Sequence, residues 1–151
     1  MSFAEGMELV RASGLYTTHT PVPAGHDAFT EEMLGNYIGH YPSRMGVDWR
    51  TMMSLGKIDA DNHDEKFSMS HLAANLSQNV NGVSMLHGKV SQDIFADMYP
   101  GYLPEELYIS YVTNGVHYPT WASKYWKELH AKVFGPEFQT HHYDKKCFEG
   151  I

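Results

Sequence analysis

The sequence predicts an α/β fold built on about three short parallel strands. Stretches with helical spacing of apolar residues alternate along the chain with short runs rich in aromatic and β-branched residues, and this order is typical of parallel sheets with crossover helices. Each strand-like run also ends in a polar turn that contains Asn, Gly or His. Three short strands form a small core for 151 residues, which indicates a piece of a larger α/β domain.

The N-terminal part of the chain predicts a helix, a strand and a second helix. Apolar residues share one face of a first helix, which we expect Gly14 to end in a left-handed conformation. Residues 15–19 read as a strand, and a loop rich in Pro and Gly follows. Asp27 is placed to cap the next helix, whose apolar face would include Phe29, Tyr37 and Ile38.

The middle and the end of the chain continue this order after an interruption. Residues 39–66 predict a loop-rich excursion with one short helix near Trp49, and its acidic run 59–66 is simplest as a solvated loop. The predicted elements that follow are a helix over 67–78, a strand through Val80, a helix from Val83 to Met98, a strand over 108–112 and a helix after Pro119. Residues 135–151 show no clear period and are expected to form an irregular tail.

Composition excludes several classes of function. The formal net charge is −7 with only 11 Lys and Arg, which argues against a nucleic-acid surface or an anionic membrane as the partner. Cys147 is the only cysteine, so an intrachain disulfide is impossible. The sequence has no basic and apolar leader and no apolar stretch of the roughly 18 residues that a membrane span needs. We therefore expect a soluble, cytoplasmic protein.

The polar strand ends predict where a ligand would bind. In open α/β sheets ligands bind at the carboxyl ends of the strands. This rule puts the His19 loop, the turn after Asn81 and the turn at Asn114 on one rim. An imidazole and a carboxamide can each donate and accept hydrogen bonds, which suits a neutral polar ligand.

Four sequence blocks carry a family resemblance. They are YTTHTPVPAGHD (16–27), FSMSH (67–71), VNGVSMLHGKVS (80–91) and VTNGVHYPTW (112–121). In this order they resemble consecutive blocks of the α-glucan (glycogen, starch and maltodextrin) phosphorylases, with more similarity to the bacterial and archaeal branch. The resemblance covers a minor internal part of such proteins, near the end of the N-terminal half of a two-domain glycosyltransferase fold of the GT-B type. It implies that residues 1–151 are one segment of the N-terminal domain.

The resemblance implies an activity and a set of site residues. The activity is phosphorolysis of the terminal α-1,4-glucosyl unit of a glucan, which gives glucose 1-phosphate. His19 resembles the active-site histidine that contacts the terminal glucose, and Asn114 resembles the asparagine that bonds its 6-hydroxyl. Val83 corresponds to a residue whose backbone lies against the same sugar, and His26 and Asp27 lie where the family's loop lines the pocket. We also expect free N–H groups at the start of the helix from Val83 to face this rim.

The resemblance also limits what this chain can do by itself. It implies pyridoxal phosphate in the parent enzyme, but the family's cofactor lysine and phosphate-binding residues lie in the C-terminal half, so no cofactor-binding residue is assigned here. We expect the isolated chain to be inactive. Exposed sheet edges and helix faces, including Trp121, Tyr125, Trp126 and Phe134, would favour a homo-oligomer.

Two alternatives stay open from the sequence. A noncatalytic sugar-binding or scaffold module would use the same segment without chemistry. A metal-dependent hydrolase is suggested by ten histidines and by the runs at His63 and His141, but no paired metal-ligand spacing supports it. We assign no metal ligand.

Overall fold

The structure, a computed structural model, describes residues 1–149. Met1–Thr113 form one compact unit, and the residues from Asn114 onward form another. The strands of the first unit are β1 (Leu15–Thr17), β2 (Ala28–Phe29), β3 (Phe67–Ser68), β4 (Asn79–Gly82) and β5 (Ile109–Tyr111). Its α-helices are α1 (Phe3–Ser13), α2 (Glu31–Ile38), α3 (Tyr41–Met45), α4 (Trp49–Met53), α5 (Met69–Asn75) and α6 (Met85–Ile94).

The predicted parallel sheet is confirmed within the described residues. Strand β4 lies in the centre and pairs in parallel with β1 on one side and β5 on the other. Val80 is level with Tyr16 in β1 and with Ile109 in β5. Because the three strands run in the same direction, their carboxyl ends meet at one edge. A separate antiparallel pair joins β2 to β3, with Phe29 opposite Phe67.

The core of the first unit lies between the sheet and its helices. Buried apolar side chains from α5, β4, β5 and the segment after α6 form one cluster, namely Ala74, Val80, Phe95, Leu107 and Ile109. Glycines allow α6 to pack directly on the sheet. A Cβ atom at Gly82 would lie 2.7 Å from the backbone nitrogen of Gly88, and one at Gly88 would lie 3.0 Å from the carbonyl oxygen of Ser110.

Two of the predicted helix caps are wrong, each for a local reason. Gly14 ends α1, but its φ of −87° is extended rather than left-handed. A glycine fits there because a Cβ atom would lie 2.6 Å from the carbonyl oxygen of Leu76. Asp27 does not cap the next helix, because residues 28–29 form β2 and Thr30 caps α2 by accepting a hydrogen bond from the Met33 N–H.

The excursion over residues 39–66 holds α3 and α4 where the sequence predicted one short helix. An ion pair between the buried Lys57 and the partly exposed Glu31 fastens it to the rest of the unit. The Lys57 Nζ donates to Glu31 Oε2 at 2.8 Å and to the Asn62 carbonyl oxygen at 3.1 Å. The indole of Trp49 donates to the other oxygen of Glu31 at 2.7 Å. Glu31 at the start of α2 therefore holds α4 and the following loop.

The second unit is helical and has an aromatic centre. It contains α7 (Tyr118–Trp121), α8 (Lys124–Phe134) and α9 (Phe138–His141). Phe138 is buried and stacks on Phe134 with the ring centroids 4.7 Å apart, so Phe134 is not the free surface side chain that the sequence predicted. The predicted irregular tail thus begins with a short helix, and positions 150–151 lie outside the described residues.

Candidate functional site

The first part of the site is the loop that follows β1. Thr18 is buried, and its N–H donates to the carbonyl oxygen of Asn81 at 3.0 Å, which extends the strand pairing by one residue. His19 comes next and is exposed. A short 3₁₀ turn, Pro23–Gly25, then folds the chain back. The strand ladder therefore fixes the loop at its start and leaves His19 open to solvent at the edge of the sheet.

The loop is also closed on itself. The Val22 N–H donates to the Thr20 hydroxyl at 3.1 Å, and the His26 N–H donates to the Pro23 carbonyl oxygen at 3.0 Å. A Cβ atom at Gly25 would overlap the methyl group of Thr20. Glycine is therefore the residue that lets this loop pack against Thr20.

Asn81 joins the two neighbouring strand ends. Its side chain is buried, with Oδ1 accepting from the Thr17 hydroxyl at 2.9 Å and Nδ2 donating to the Gly82 carbonyl oxygen at 3.1 Å. A buried carboxamide with its donor and its acceptor both paired fixes the local backbone. The Asn81 turn that the sequence placed on the rim is thus a support for the rim.

The end of β4 differs from the sequence expectation. Helix α6 begins at Met85 rather than at Val83, and the Ser84 hydroxyl caps it by accepting from the His87 N–H. The Val83 N–H donates to the Nδ1 of the buried His87 at 3.1 Å. The Val83 and His87 N–H groups are therefore bonded inside the first unit and are not free to face the rim.

The structure places the remaining candidate residues as follows. Asp27 is exposed, and its backbone carbonyl oxygen accepts from the Met69 N–H at 2.9 Å. His26 is half-buried and both of its ring nitrogens are within hydrogen-bond distance of protein oxygens. Asn114 is exposed and is the first residue of the second unit.

Two residues that sequence reasoning did not single out contact the loop. The buried Ser70 hydroxyl lies 2.7 Å from His26 Nδ1, and the Tyr16 hydroxyl lies 3.1 Å from the same serine oxygen. Both residues belong to the sequence blocks quoted above, but nothing in their type separates them from ordinary core residues. The separation of 44 positions along the chain hides this contact between His26 and Ser70 from any local pattern.

A cleft of about 300 Å³ lies beside the loop and contains a second histidine. Its walls include Pro21, Pro23, His71 and Phe95. The Nδ1 atom of His71 is buried and has no hydrogen-bond partner among residues 1–149. Burial lowers the pKa of His71 below its usual range, so the ring is uncharged at neutral pH. The wall of the cleft that His71 forms is therefore uncharged.

Residues 1–149 lack two other classes of feature, a metal-binding cluster and a membrane-spanning helix. They contain no group of three or more His, Cys, Asp or Glu side chains placed to hold a metal ion. No helix within the same residues is both long enough and apolar enough to span a bilayer.

The fold and this edge define a segment of an α/β domain with a polar rim at the carboxyl ends of parallel strands. No family model matches the chain. The chain is 41% identical over 143 residues to the glycogen phosphorylase of Mycobacterium tuberculosis, which covers 91% of this chain and 16% of the relative. It is 32% identical over 139 residues to the maltodextrin phosphorylase of Thermococcus litoralis, with 89% and 15% covered. The glycogen phosphorylase of Aquifex aeolicus is 28% identical over 151 residues, which are 21% of its length.

The resemblance drawn from the four sequence blocks is thereby confirmed. This chain is a homologue of the glycogen and maltodextrin phosphorylases, and it is consistent with an internal fragment of an α-glucan phosphorylase. It spans about one sixth of the length of the first two relatives that it matches.

Proposed function

We propose that this chain supplies part of the glucose-binding site of an α-glucan phosphorylase. The parent glycosyltransferase would cleave the terminal α-1,4-glucosyl unit of a glucan with inorganic phosphate and release glucose 1-phosphate. The observation that carries this proposal is the exposed His19 at the carboxyl end of β1, within a segment aligned over nine tenths of its length with proteins named phosphorylases. The cytoplasm is the proposed location.

The proposed roles follow from the chemistry of the side chains. The His19 imidazole would contact the terminal glucose, and the Asn114 carboxamide would bond its 6-hydroxyl, because both groups can donate and accept hydrogen bonds. Uncharged groups suit this task, since a charge is costly in a pocket that excludes water. The backbone at Val83 would lie against the same sugar, and the exposed Asp27 would line the pocket beside it.

We propose that the lysines of this chain do not hold the pyridoxal phosphate that the resemblance implies for the parent enzyme. In the parent enzyme the phosphate group of the cofactor would assist proton transfer to and from the substrate phosphate. The buried Lys57 is already bonded to Glu31 and Asn62, while Lys89, Lys124 and Lys132 are exposed on helices. We propose that the cofactor binds elsewhere in the parent and that the isolated chain neither binds it covalently nor catalyses phosphorolysis.

Kinetics of the parent enzyme would test the sugar-binding roles. The open reading frame that contains this segment is expressed, and release of glucose 1-phosphate from maltoheptaose and phosphate is measured. His19→Ala and Asn114→Ala should each lower kcat/KM by about 5- to 150-fold, which corresponds to lost hydrogen bonds worth about 1–3 kcal/mol. The matched controls are His141→Ala and Asn36→Ala, since both residues are exposed.

Each outcome discriminates between functions. Phosphorolysis that depends on His19 and Asn114 but not on the controls supports the proposal. A parent that binds maltoheptaose without releasing glucose 1-phosphate supports the noncatalytic sugar-binding module instead. Unchanged kinetics in both variants would remove these residues from the sugar site.

A further inference from the structure

A directed chain of hydrogen bonds runs behind the His19 loop. The His26 Nε2 lies 2.8 Å from the Thr20 carbonyl oxygen, which can only accept, so this nitrogen carries the proton. In the uncharged ring Nδ1 then accepts, and the Ser70 hydroxyl donates to it at 2.7 Å. The Ser70 oxygen in turn accepts from the Tyr16 hydroxyl at 3.1 Å. Each donor in this series of hydrogen bonds has one acceptor.

The chain of hydrogen bonds links three parts of the first unit. Tyr16 belongs to β1, Ser70 to α5, and Thr20 and His26 to the loop between β1 and β2. The surroundings of this chain are apolar on one side, because the fully buried Phe95 contacts the edges of the Tyr16 and His26 rings with centroids 6.2 Å apart in both pairs. Hydrogen bonds in such surroundings are stronger and more selective in geometry than hydrogen bonds in water.

The last acceptor in this series of hydrogen bonds is the carbonyl oxygen of Thr20, the residue that follows His19. The Thr18 N–H is held by Asn81 on one side of His19, and the Thr20 carbonyl oxygen is held by His26 on the other. The backbone is therefore fixed on both sides of an exposed imidazole. A ring whose backbone is held in this way loses less conformational entropy when a ligand binds.

We propose that His26 is a positioning residue that, together with Ser70 and Tyr16, fixes the Thr20 backbone and so orients His19. This proposal gives His26 a task other than lining the sugar pocket, which is what the resemblance implies, because both of its ring nitrogens lie within hydrogen-bond distance of protein oxygens. The inference rests on the proposed function only in that His19 is the group that meets the sugar.

The first experiment observes the histidine ring and the loop without any sugar. In the 151-residue chain labelled with ¹⁵N-histidine, two-bond hydrogen–nitrogen correlations should show His26 as the tautomer protonated at Nε2. Ser70→Ala removes the donor to Nδ1, so the ¹⁵N resonance of Nδ1 should shift and amide exchange at Val22, Gly25 and His26 should rise at least tenfold. Ser54→Ala is the matched control, since Ser54 is an exposed serine at the end of α4.

Further variants keep the test decisive if Ser70→Ala does not fold. Tyr16→Phe removes one hydroxyl from the chain and should raise loop exchange by a smaller factor. His26→Leu removes both hydrogen bonds of the ring, whereas His26→Gln keeps one donor and one acceptor and should restore most of the protection. Exchange at the α6 amides reports on the fold and should stay as in the unmodified chain.

The outcomes separate this inference from the proposed function. Loop exchange and a His26 Nδ1 resonance that are the same in Ser70→Ala as in the unmodified chain overturn the positioning role, whatever the sugar kinetics. In the parent enzyme, Ser70→Ala should raise the KM for maltoheptaose at least threefold, because the buried Ser70 hydroxyl would no longer hold the His26 ring. A loosened loop with an unchanged KM overturns the claim that these hydrogen bonds orient His19, whereas the His19→Ala kinetics alone decide whether His19 meets the sugar.

Discussion

The carboxylate of Glu31 lies 2.8 Å from the Nζ of Lys57, whose side chain is 0% exposed. The same carboxylate accepts from the Trp49 indole at 2.7 Å and from His63 Nδ1 at 3.1 Å. A buried ammonium group is costly without a counter-ion. Glu31 therefore has two effects. It stabilises the N-terminus of α2, and it neutralises the ammonium group of Lys57, which is buried in the first unit.

Removal of Glu31 should be far more damaging than removal of its neighbour. Glu31→Ala leaves the Lys57 ammonium group buried and unpaired, and should lower the free energy of unfolding by about 3–5 kcal/mol. Glu32→Ala, at an exposed position in the same helical turn, should change it by less than about 0.5 kcal/mol. Urea denaturation followed by circular dichroism measures both values.

The double variant tests the cause of that loss. Replacing both partners, as in Glu31→Leu with Lys57→Met, removes the unpaired charge and should cost less than Glu31→Ala alone. A double variant that is less stable than Glu31→Ala would mean that packing, and not charge burial, explains the effect.

The stability of the first unit should depend on pH through Glu31. Hydrogen bonds from Lys57, His63 and Trp49 lower the pKa of Glu31 from 4.5 to about 2. A carboxylate whose pKa is lower in the folded state stabilises the fold fully above its unfolded pKa, and this contribution is lost as the pH falls through the folded value. The difference in stability between the unmodified chain and Glu31→Gln should therefore shrink between about pH 5 and pH 2.

A carboxyl ¹³C titration measures the same quantity directly. The Glu31 resonance should titrate with a midpoint near 2, well below that of the exposed Glu32. A Glu31 midpoint near 4.5 would show that the three donors do not hold the carboxylate in solution.

Glycine substitutions should separate close packing from helix propensity. Gly82→Ala places a Cβ atom 2.7 Å from the Gly88 nitrogen and 2.9 Å from the His87 carbonyl carbon, so α6 must move away from β4. We expect a loss of about 1–3 kcal/mol. Gly35→Ala in α2 meets nothing within 4 Å and should stabilise the chain by about 0.5–1 kcal/mol. Thermal unfolding of the two variants should shift in opposite directions.

The apolar surface of the second unit predicts self-association of the chain. Trp121, Tyr125 and Trp126 are 78%, 80% and 57% exposed, and Leu129 and Val133 on α8 are exposed as well. A large contiguous apolar patch favours association, so we expect a homo-oligomer. Light scattering should show an average mass above 17.2 kDa that falls on dilution, and Tyr125→Ser with Trp126→Ser should lower it. A monomer at every concentration would contradict this expectation.

The three strands of the parallel sheet could be predicted from the sequence because their signals are local, whereas the short pair of β2 with β3 was not predicted. Tyr16, Val80 and Ile109 lie in short β-type runs that end in Asn, Gly or His, and these runs form the parallel sheet. The helix ends were harder to predict from the sequence. Gly14 ends α1 because of close packing, and Thr30 begins α2 through a capping hydrogen bond, and neither is visible in the pattern of apolar residues. A left-handed cap and close packing against Leu76 both call for glycine, and the sequence contains no sign of which applies.

The supporting contacts of the site could not be predicted. Glu31 and Lys57 are 26 residues apart, and His26 and Ser70 are 44 residues apart. Neither separation matches a helical or strand period, so only the folded backbone brings the partners together. His19 was proposed as a site residue from its loop motif, whereas the residues that hold the loop look like ordinary core residues.

The parallel pairing of β1 with β4 has a consequence for the kinetics of folding. Thr17 bonds Asn81 across 64 residues, whereas β4, α6 and β5 follow one another closely along the chain. Contacts between distant residues form late, because a long loop must close first. The β4–α6–β5 unit should therefore assemble early, and β1 should dock onto it afterwards. The loop that carries His19 would then acquire its final shape only in the last step of folding.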